Sequence, residues 1–556
     1  MPGLRTKGVD ALTNSKRLLW LLLSCAGIIR ILFVAPQLPN GLFDDAYITF
    51  RYADNLIRGF GFVFNVGERV QGTTSPLFAL VLASLGRIFG SSHLEQLAVS
   101  VGIVAAIGTV YLCERILSAT GVPQAVIWTF LTLISFLPSF IANSTSGMET
   151  PVVLFLMALS LYLYIQDRLF ALSVVGVLLF LARVDTGLWL LALGIHILFS
   201  RRDSLRDLAW PLAVFCASMA IWLSFTKIYF GTVVPQSLVG KAVSHGAFVL
   251  PNWNYASTFL SAFVPAQRLG SWALVVIAAV FLFLIPPTLE LWHKYPQLRP
   301  IVYFFPIYVV AFLASHAPLF SWYVIPPKWA FYFIAVYALW RFLSDRTRLS
   351  HSSLKPAYVM VLLGIFVFGL AVHAVKIQYE LPEANPSLAI SKYIEQKSRP
   401  DGRIFLEHIG LIGFRTDRYI YDYMGLVTPE TTRLRRLYGS EWLPKAAREY
   451  GADVVILYDS DIPALQSQAD PDAIWFQTNY VHMNDEQLPQ SVISVFLKKD
   501  SMQLAPETWR RPQGRSQPSS RPDPSSSEES FFADFVAALV RPRMILRSGD
   551  GLLQKE

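Results

Sequence analysis

The sequence predicts a polytopic α-helical membrane protein with a C-terminal α/β domain outside the bilayer. Three observations carry that reading. Of the 556 residues, 53% are hydrophobic and only 15% charged, whereas a soluble domain carries about 25% charged residues to face water. The apolar residues fall in long runs such as 18–36, 98–112 and 357–374. With their flanks these approach the roughly 20 residues that a bilayer-crossing helix needs. The 14 Trp and 23 Tyr fit the aromatic enrichment of lipid–water boundaries.

Composition also excludes. Cys25, Cys113 and Cys216 lie in or at the ends of apolar runs, so neither a disulfide framework nor zinc-ligand spacing is present. The formal net charge of +8 comes mostly from Lys and Arg in short loops between those runs. That pattern orients a membrane protein and calls for no nucleic-acid partner.

The first predicted span, 18–36, follows Arg5, Lys7, Lys16 and Arg17, which sets the N-terminus in the cytoplasm. No small-x-small site precedes Pro36, so the run reads as an anchor rather than a cleaved leader. Further spans are expected at 98–118, 122–141, 151–165, 169–182, 187–199, 208–225, 271–287, 301–314, 324–340 and 357–375, about eleven in all. The run Pro76–Phe89 is short for a span. Reading it as a helix in the outer leaflet, with Ser75 and Pro76 as its N-cap and N1 residues, puts the basic loops on the cytoplasmic side.

Segments 37–96, 143–150, 183–186, 227–270 and 315–323 then share the outer side with everything after residue 375. Residues 1–375 form the transmembrane module. Residues 376–500 form a small α/β domain with strands near 403–406, 454–458 and 492–497 and a helix near 443–450. Residues 501–556 are expected to be largely disordered, being rich in Pro, Ser and Arg, with a short amphipathic helix at 531–546.

The first outer loop reads Gly41-Leu-Phe-Asp44-Asp45-Ala-Tyr-Ile-Thr-Phe-Arg51-Tyr-Ala-Asp54-Asn55. Ala46, Phe50, Ala53 and Ile57 recur at helical spacing, so a helix begins near Asp45 with Asp44 at its N-cap. Two adjacent carboxylates exceed what a cap needs. Close to lipid, such a pair suits a general base raised by its neighbour and by desolvation, and it also suits a divalent cation. Asp44 is expected to be the base, with Asp45 orienting it or binding the cation. Glu149 opens a span at the outer face, Arg183 and Asp185 interrupt an apolar stretch at its outer mouth, and Lys241 follows on the same side. Ionisable groups at membrane depth point first to function. The structural alternatives are helix-dipole compensation by Glu149, an Arg183–Asp185 pair, and snorkelling of Lys241.

The stretch from Asp44 to Asn55, followed by Gly59-Phe-Gly61-Phe-Val-Phe64-Asn65-Val-Gly67-Glu68 and Thr74-Ser75-Pro76-Leu77, resembles the GT-C glycosyltransferases. Within them it is most similar to the AftB-like arabinofuranosyltransferase family. Ser146-Gly147-Met148-Glu149-Thr150, 229–241 and 422–429 are weaker echoes in the same order. The chain departs from the pattern at Arg183-Val-Asp185-Thr-Gly187, where relatives often have Arg-Pro-Glu-Gly, and at Trp322-Tyr323, where they often have Arg-Tyr. The resemblance implies an inverting transferase of the bacterial inner membrane with an extracytoplasmic active site. Its donor would be a polyprenyl-phosphate sugar and its acceptor a hydroxyl on a cell-envelope glycan. Arg51, Glu149, Arg183, Asp185, Tyr229, Lys241 and Tyr323 would bind donor phosphate and substrate. A lipid transporter or flippase is the alternative; it would carry internal repeats and midplane ionisable residues, and no repeat is visible.

Overall fold

The computed structural model describes residues 3–202, 205–245, 253–264, 272–315, 319–346, 385–483 and 493–502. Its helices are, in order, α1 (Gly3–Val34), α2 (Asp44–Ile57), α3 (Pro76–Phe89), α4 (Leu94–Thr120), α5 (Gln124–Phe136), α6 (Pro138–Thr145), α7 (Thr150–Ile165) and α8 (Leu169–Ala182). They continue as α9 (Gly187–Ser200), α10 (Leu205–Phe230), α11 (Gln236–His245), α12 (Trp253–Ser261), α13 (Ala273–Lys294), α14 (Arg299–Ser315) and α15 (Ile325–Arg346). Ten of the eleven expected spans fall on these helices. The eleventh, 357–375, lies outside the described residues, as do residues 503–556 and the helix expected at 531–546.

Five described helices are long and apolar enough to cross a bilayer: α1 from Ser15, α4, α10, α13 and the stretch Pro296–Ser315 that ends α14. The pair α5–α6, bent by 51°, makes a sixth if it is one span. Helices α7, α8 and α9 are apolar but shorter than 18 residues, so these criteria do not reach eleven.

The α5–α6 bend has a local cause. Pro138 has no N–H to bond the Ile134 carbonyl, so the ladder breaks there. Arg30, 1% exposed on α1, takes over: it donates to Ser135 O at 2.8 Å, Ile134 O at 3.4 Å and Ser144 Oγ at 2.8 Å. Arg30→Met therefore leaves buried carbonyls unpaired, at a cost of about 1–3 kcal/mol each. Thermal unfolding in detergent is expected to show a clear loss of stability, with Arg30→Lys restoring only part because its single ammonium lacks the guanidinium fork.

Residues 385–502 hold a five-stranded sheet in the order β2-β1-β3-β5-β4. The strands are β1 (Ile404–Leu406), β2 (Ile420–Asp422), β3 (Val454–Tyr458), β4 (Tyr480–His482) and β5 (Ile493–Lys498). β1 pairs in parallel with both β2 and β3, and β5 is antiparallel to β3 and β4. Apolar Ile404, Leu406, Val454 and Ile456 fill one face of the sheet with Ile390 and Ile394. Phe405, Val455 and Leu457 fill the other against Trp442, Leu443 and Ala446. This alternation is the period-2 pattern of a sheet covered on both sides.

The sheet domain and the helices belong to one compact unit, Met1–Ala505. Both flanks of α3 meet the domain. Before α3, a Cβ at Gly72 would lie 2.4 Å from Val427 Cγ1; after it, Glu95 accepts from Arg415 at 2.7 Å. At 14 residues the helix is shorter than the roughly 20 that a span needs. Ser75 stands at its N-cap with Pro76 at N1, yet the Ser75 hydroxyl turns to Thr49 and Thr73, at 3.4 and 3.2 Å, and does not cap the helix.

Candidate functional site

The predicted N-cap position of Asp44 is corrected. Phe43 is the N-cap of α2, in extended backbone, and Asp44 is the first helical residue. Its carboxylate reaches out of the helix to the sheet domain, where Oδ1 accepts from Leu411 N at 2.8 Å and Oδ2 from Gly410 N at 3.0 Å. Those N–H groups open the short helix Leu411–Thr416 and have no partner within it. Burial raises the Asp44 carboxyl above its usual range; the Leu411 N–H and His408 pull it back, and the Asp45 charge raises it further. Asp45 is half-buried, and its carboxylate makes no hydrogen bond among the described residues. It is one of the charges that bear on Lys241. The two neighbours thus have different surroundings, one tied and one open.

The second half of the site is a charged cluster around Arg183, which is 2% exposed. Nε and Nη2 grip Asp185 Oδ1 and Oδ2 at 2.6 and 3.0 Å, a bidentate pair. Nη1 donates to Thr150 Oγ1 at 3.1 Å and lies 3.6 Å from Glu149 Oε1. Burial lowers the Arg183 guanidinium, but Asp185 and Glu149 more than offset this and leave it above its ordinary value. Burial also raises Glu149, with Arg183 acting against it. Tyr308 Oη, buried beside this pair, lies 3.0 Å from Asp185 Oδ2 and 2.7 Å from Tyr323 O.

Lys241 reaches the cluster from α11. Its Nζ donates to Tyr323 Oη at 3.2 Å and faces the Phe320 and Tyr323 rings at 5.5 and 5.6 Å. Burial lowers its ammonium, while Tyr323, Asp45 and Glu149 raise it to a net value above the ordinary one. An aromatic wall adjoins it. Phe320 stacks on Trp322 at 4.6 Å, and Phe43, next to the aspartate pair, packs edge-on against Trp322 at 6.2 Å. Gly147 lets the turn before Glu149 lie against α2. Its φ is +80°, and a Cβ there would sit 2.8 Å from Leu42 and 3.1 Å from Phe50.

Glu149, Arg183, Asp185, Lys241 and Tyr323 are therefore gathered in one place beside the aspartates, and two of the expected residues are not. Arg51 is 4% exposed and spent on structure: it donates to Phe64 O at 2.8 Å, Gly413 O at 2.9 Å and Arg418 O at 2.6 Å. It fastens α2 to the sheet domain, and carbonyls occupy the donors that a phosphate would need. Tyr229 accepts from Phe62 N at 3.0 Å and lies under Arg69 at 4.7 Å, so it braces the loop after α2. Asp422, fully buried, accepts from Met424 N and Val427 N at 2.8 and 2.9 Å and closes its own turn. Burial pushes its carboxyl up to about 6 against those hydrogen bonds.

Among the described residues no three His, Cys, Asp or Glu side chains come together as a metal-ligand set. Both Asp44 oxygens already face N–H donors, which a cation would have to oppose. The donor chemistry present does not fit the expected divalent site. Sequence reasoning missed Tyr308, His408 and Tyr458. His408 was the most findable, because it follows a strand at the carboxyl end of a parallel sheet, where α/β folds place their chemistry.

Residues 373–509 match a family model described as "Domain of unknown function (DUF8728)". No curated protein matches the chain. Among solved structures the chain is similar to ArnT from Cupriavidus metallidurans in the apo state. The TM-score is 0.52 at 12% identity, over 87% of this chain and 98% of that one. It is also similar to the Archaeoglobus fulgidus oligosaccharyltransferase tethered with an acceptor peptide, with a TM-score of 0.48 at 11% identity, over 89% of this chain and 75% of that one. The likeness to ArnT is one of fold, and among the described residues five helices are long and apolar enough to cross a membrane.

Proposed function

We propose that this protein is an inverting glycosyltransferase of GT-C type. It moves a sugar from a polyprenyl-phosphate donor to a hydroxyl of a cell-envelope glycan, with arabinofuranosyl transfer of the AftB-like kind as the specific form. On this reading it sits in the bacterial inner membrane, with its site on the extracytoplasmic face. One observation carries the proposal: Asp45, beside the tied Asp44, bears on Lys241, a half-buried ammonium that bonds Tyr323 next to the buried Arg183 and an aromatic wall. A polyprenyl phosphate is an anion joined to an apolar tail, and a cation next to aromatic surface suits both ends.

The acceptor oxygen attacks the anomeric carbon from the face opposite the phosphate. The carbon–oxygen bond to phosphate breaks, and its electron pair leaves with the phosphate. The acceptor proton passes to Asp45, so the roles expected within the pair are exchanged, because the Asp44 carboxylate is held by two N–H groups and the Asp45 carboxylate accepts no hydrogen bond among the described residues. Lys241 neutralises charge developing on the phosphate. Arg183, gripped by Asp185, fixes Glu149, Tyr323 and the site's shape. Removing the ammonium in Lys241→Ala is expected to lower kcat/KM about 10- to 100-fold, the size of a lost charge-assisted hydrogen bond, and Lys241→Arg to recover part of it. Purified protein in proteoliposomes with labelled polyprenyl-phosphate sugars and glycan acceptors tests the reading. New glycoside supports it, whereas lipid carried across the bilayer with no glycoside formed identifies a transporter.

A further inference from the structure

We propose that the domain of unknown function is the positioning module of the aspartate pair: its loop after β1 fixes Asp44, so that Asp45 alone is presented to the reacting hydroxyl. The topology prepares the place. From β1 the sheet extends in parallel to β2 on one side and β3 on the other, and open α/β sheets bind their ligands beyond the carboxyl end of a strand at such a switch. Here a side chain from α2 occupies that place. Gly410 N and Leu411 N, two residues of the loop, donate to the two Asp44 oxygens at 3.0 and 2.8 Å.

The approach depends on Gly410. A Cβ there would lie 1.8 Å from Asp44 O, 2.6 Å from Asp44 C and 2.8 Å from Asp44 Oδ2, so no other residue allows the backbones this close. On the same loop, His408 acts electrostatically on Asp44, and its ring nitrogen lies 2.8 Å from Tyr458 Oη at the end of β3. Two further fastenings hold α2 against the domain. Arg51 bonds Gly413 O and Arg418 O, and Glu95 joins Tyr47 Oη at 2.5 Å to Arg415 at 2.7 Å. Adjacent carboxylates left alone would share protons and rotamers; hydrogen bonds to one of them separate their roles.

The activity arm of the test rests on the transferase reading, and the exchange arm does not. In full-length protein in lipid nanodiscs, Asp44→Ala is expected to speed amide hydrogen exchange at Gly410 and Leu411 about tenfold, with β1 and β3 still protected. Gly410→Ala is expected to lower kcat about 100-fold, as a misplacement of order 1 Å does, with donor KM within about threefold of wild type. Unchanged exchange at residues 410 and 411 in Asp44→Ala overturns the proposal. So does a folded Gly410→Ala protein that keeps its kcat or changes only KM. If Gly410→Ala does not fold, the exchange result decides. If wild type transfers no sugar, the transferase reading fails while exchange still decides the clamp.

Discussion

Asp45→Asn is expected to lower the rate of sugar transfer about 100- to 10,000-fold, the range spanned by one general base. The amide keeps the volume and polarity of the side chain but cannot take the acceptor proton. Donor binding should be little changed, because the proposed mechanism assigns the lipid and phosphate to the aromatic wall and Lys241. The measurement is single-turnover transfer from a labelled donor beside equilibrium binding of the same lipid. Near-normal turnover in Asp45→Asn would return the base to Asp44, despite the two N–H groups on that carboxylate.

Arg183→Met is expected to have the largest structural effect. The guanidinium is buried, pairs both oxygens of Asp185 and stands 3.6 Å from Glu149. Its removal leaves two acids in a desolvated corner, and breaking a buried pair from one side costs about 3–5 kcal/mol. Thermal unfolding in detergent should show that loss, and transfer should be abolished in whatever protein remains folded. Arg183→Met with Asp185→Leu should recover stability, since replacing a buried pair with apolar groups is often neutral, but not activity. A single variant as stable as wild type would mean that water or lipid phosphate already screens the corner.

The helical scaffold was legible because apolar runs and their charged punctuation are local properties of the chain. The boundaries of Pro76–Phe89 and Leu169–Ala182 follow from periodicity, proline and flanking charge alone. Glu149, Arg183, Asp185 and Lys241 stood out too, as ionisable groups at the mouths of apolar segments, and the Arg183–Asp185 pair weighed there as a structural alternative is present. Arg51 and Asp44 were not. Each sits on α2 as periodicity implies, yet its role is set by backbone atoms some 360 positions along the chain. A hydrogen bond to a distant carbonyl or N–H leaves no trace in side-chain spacing. Arg51 was expected to bind phosphate and bonds carbonyls of the sheet domain instead, and Asp44, expected to be the general base at the start of its helix, has its carboxylate on two N–H groups of a loop in that domain.

One measurement reaches the centre of these conclusions: single-turnover reaction of wild type and Asp45→Asn with an anomerically defined polyprenyl-phosphate pentose, followed by determination of the configuration of the new glycoside. Wild type is expected to release polyprenyl phosphate and form a glycoside of inverted configuration, while Asp45→Asn binds the donor and forms none. A retained anomeric centre, or equal product from both proteins, would contradict direct displacement assisted by Asp45.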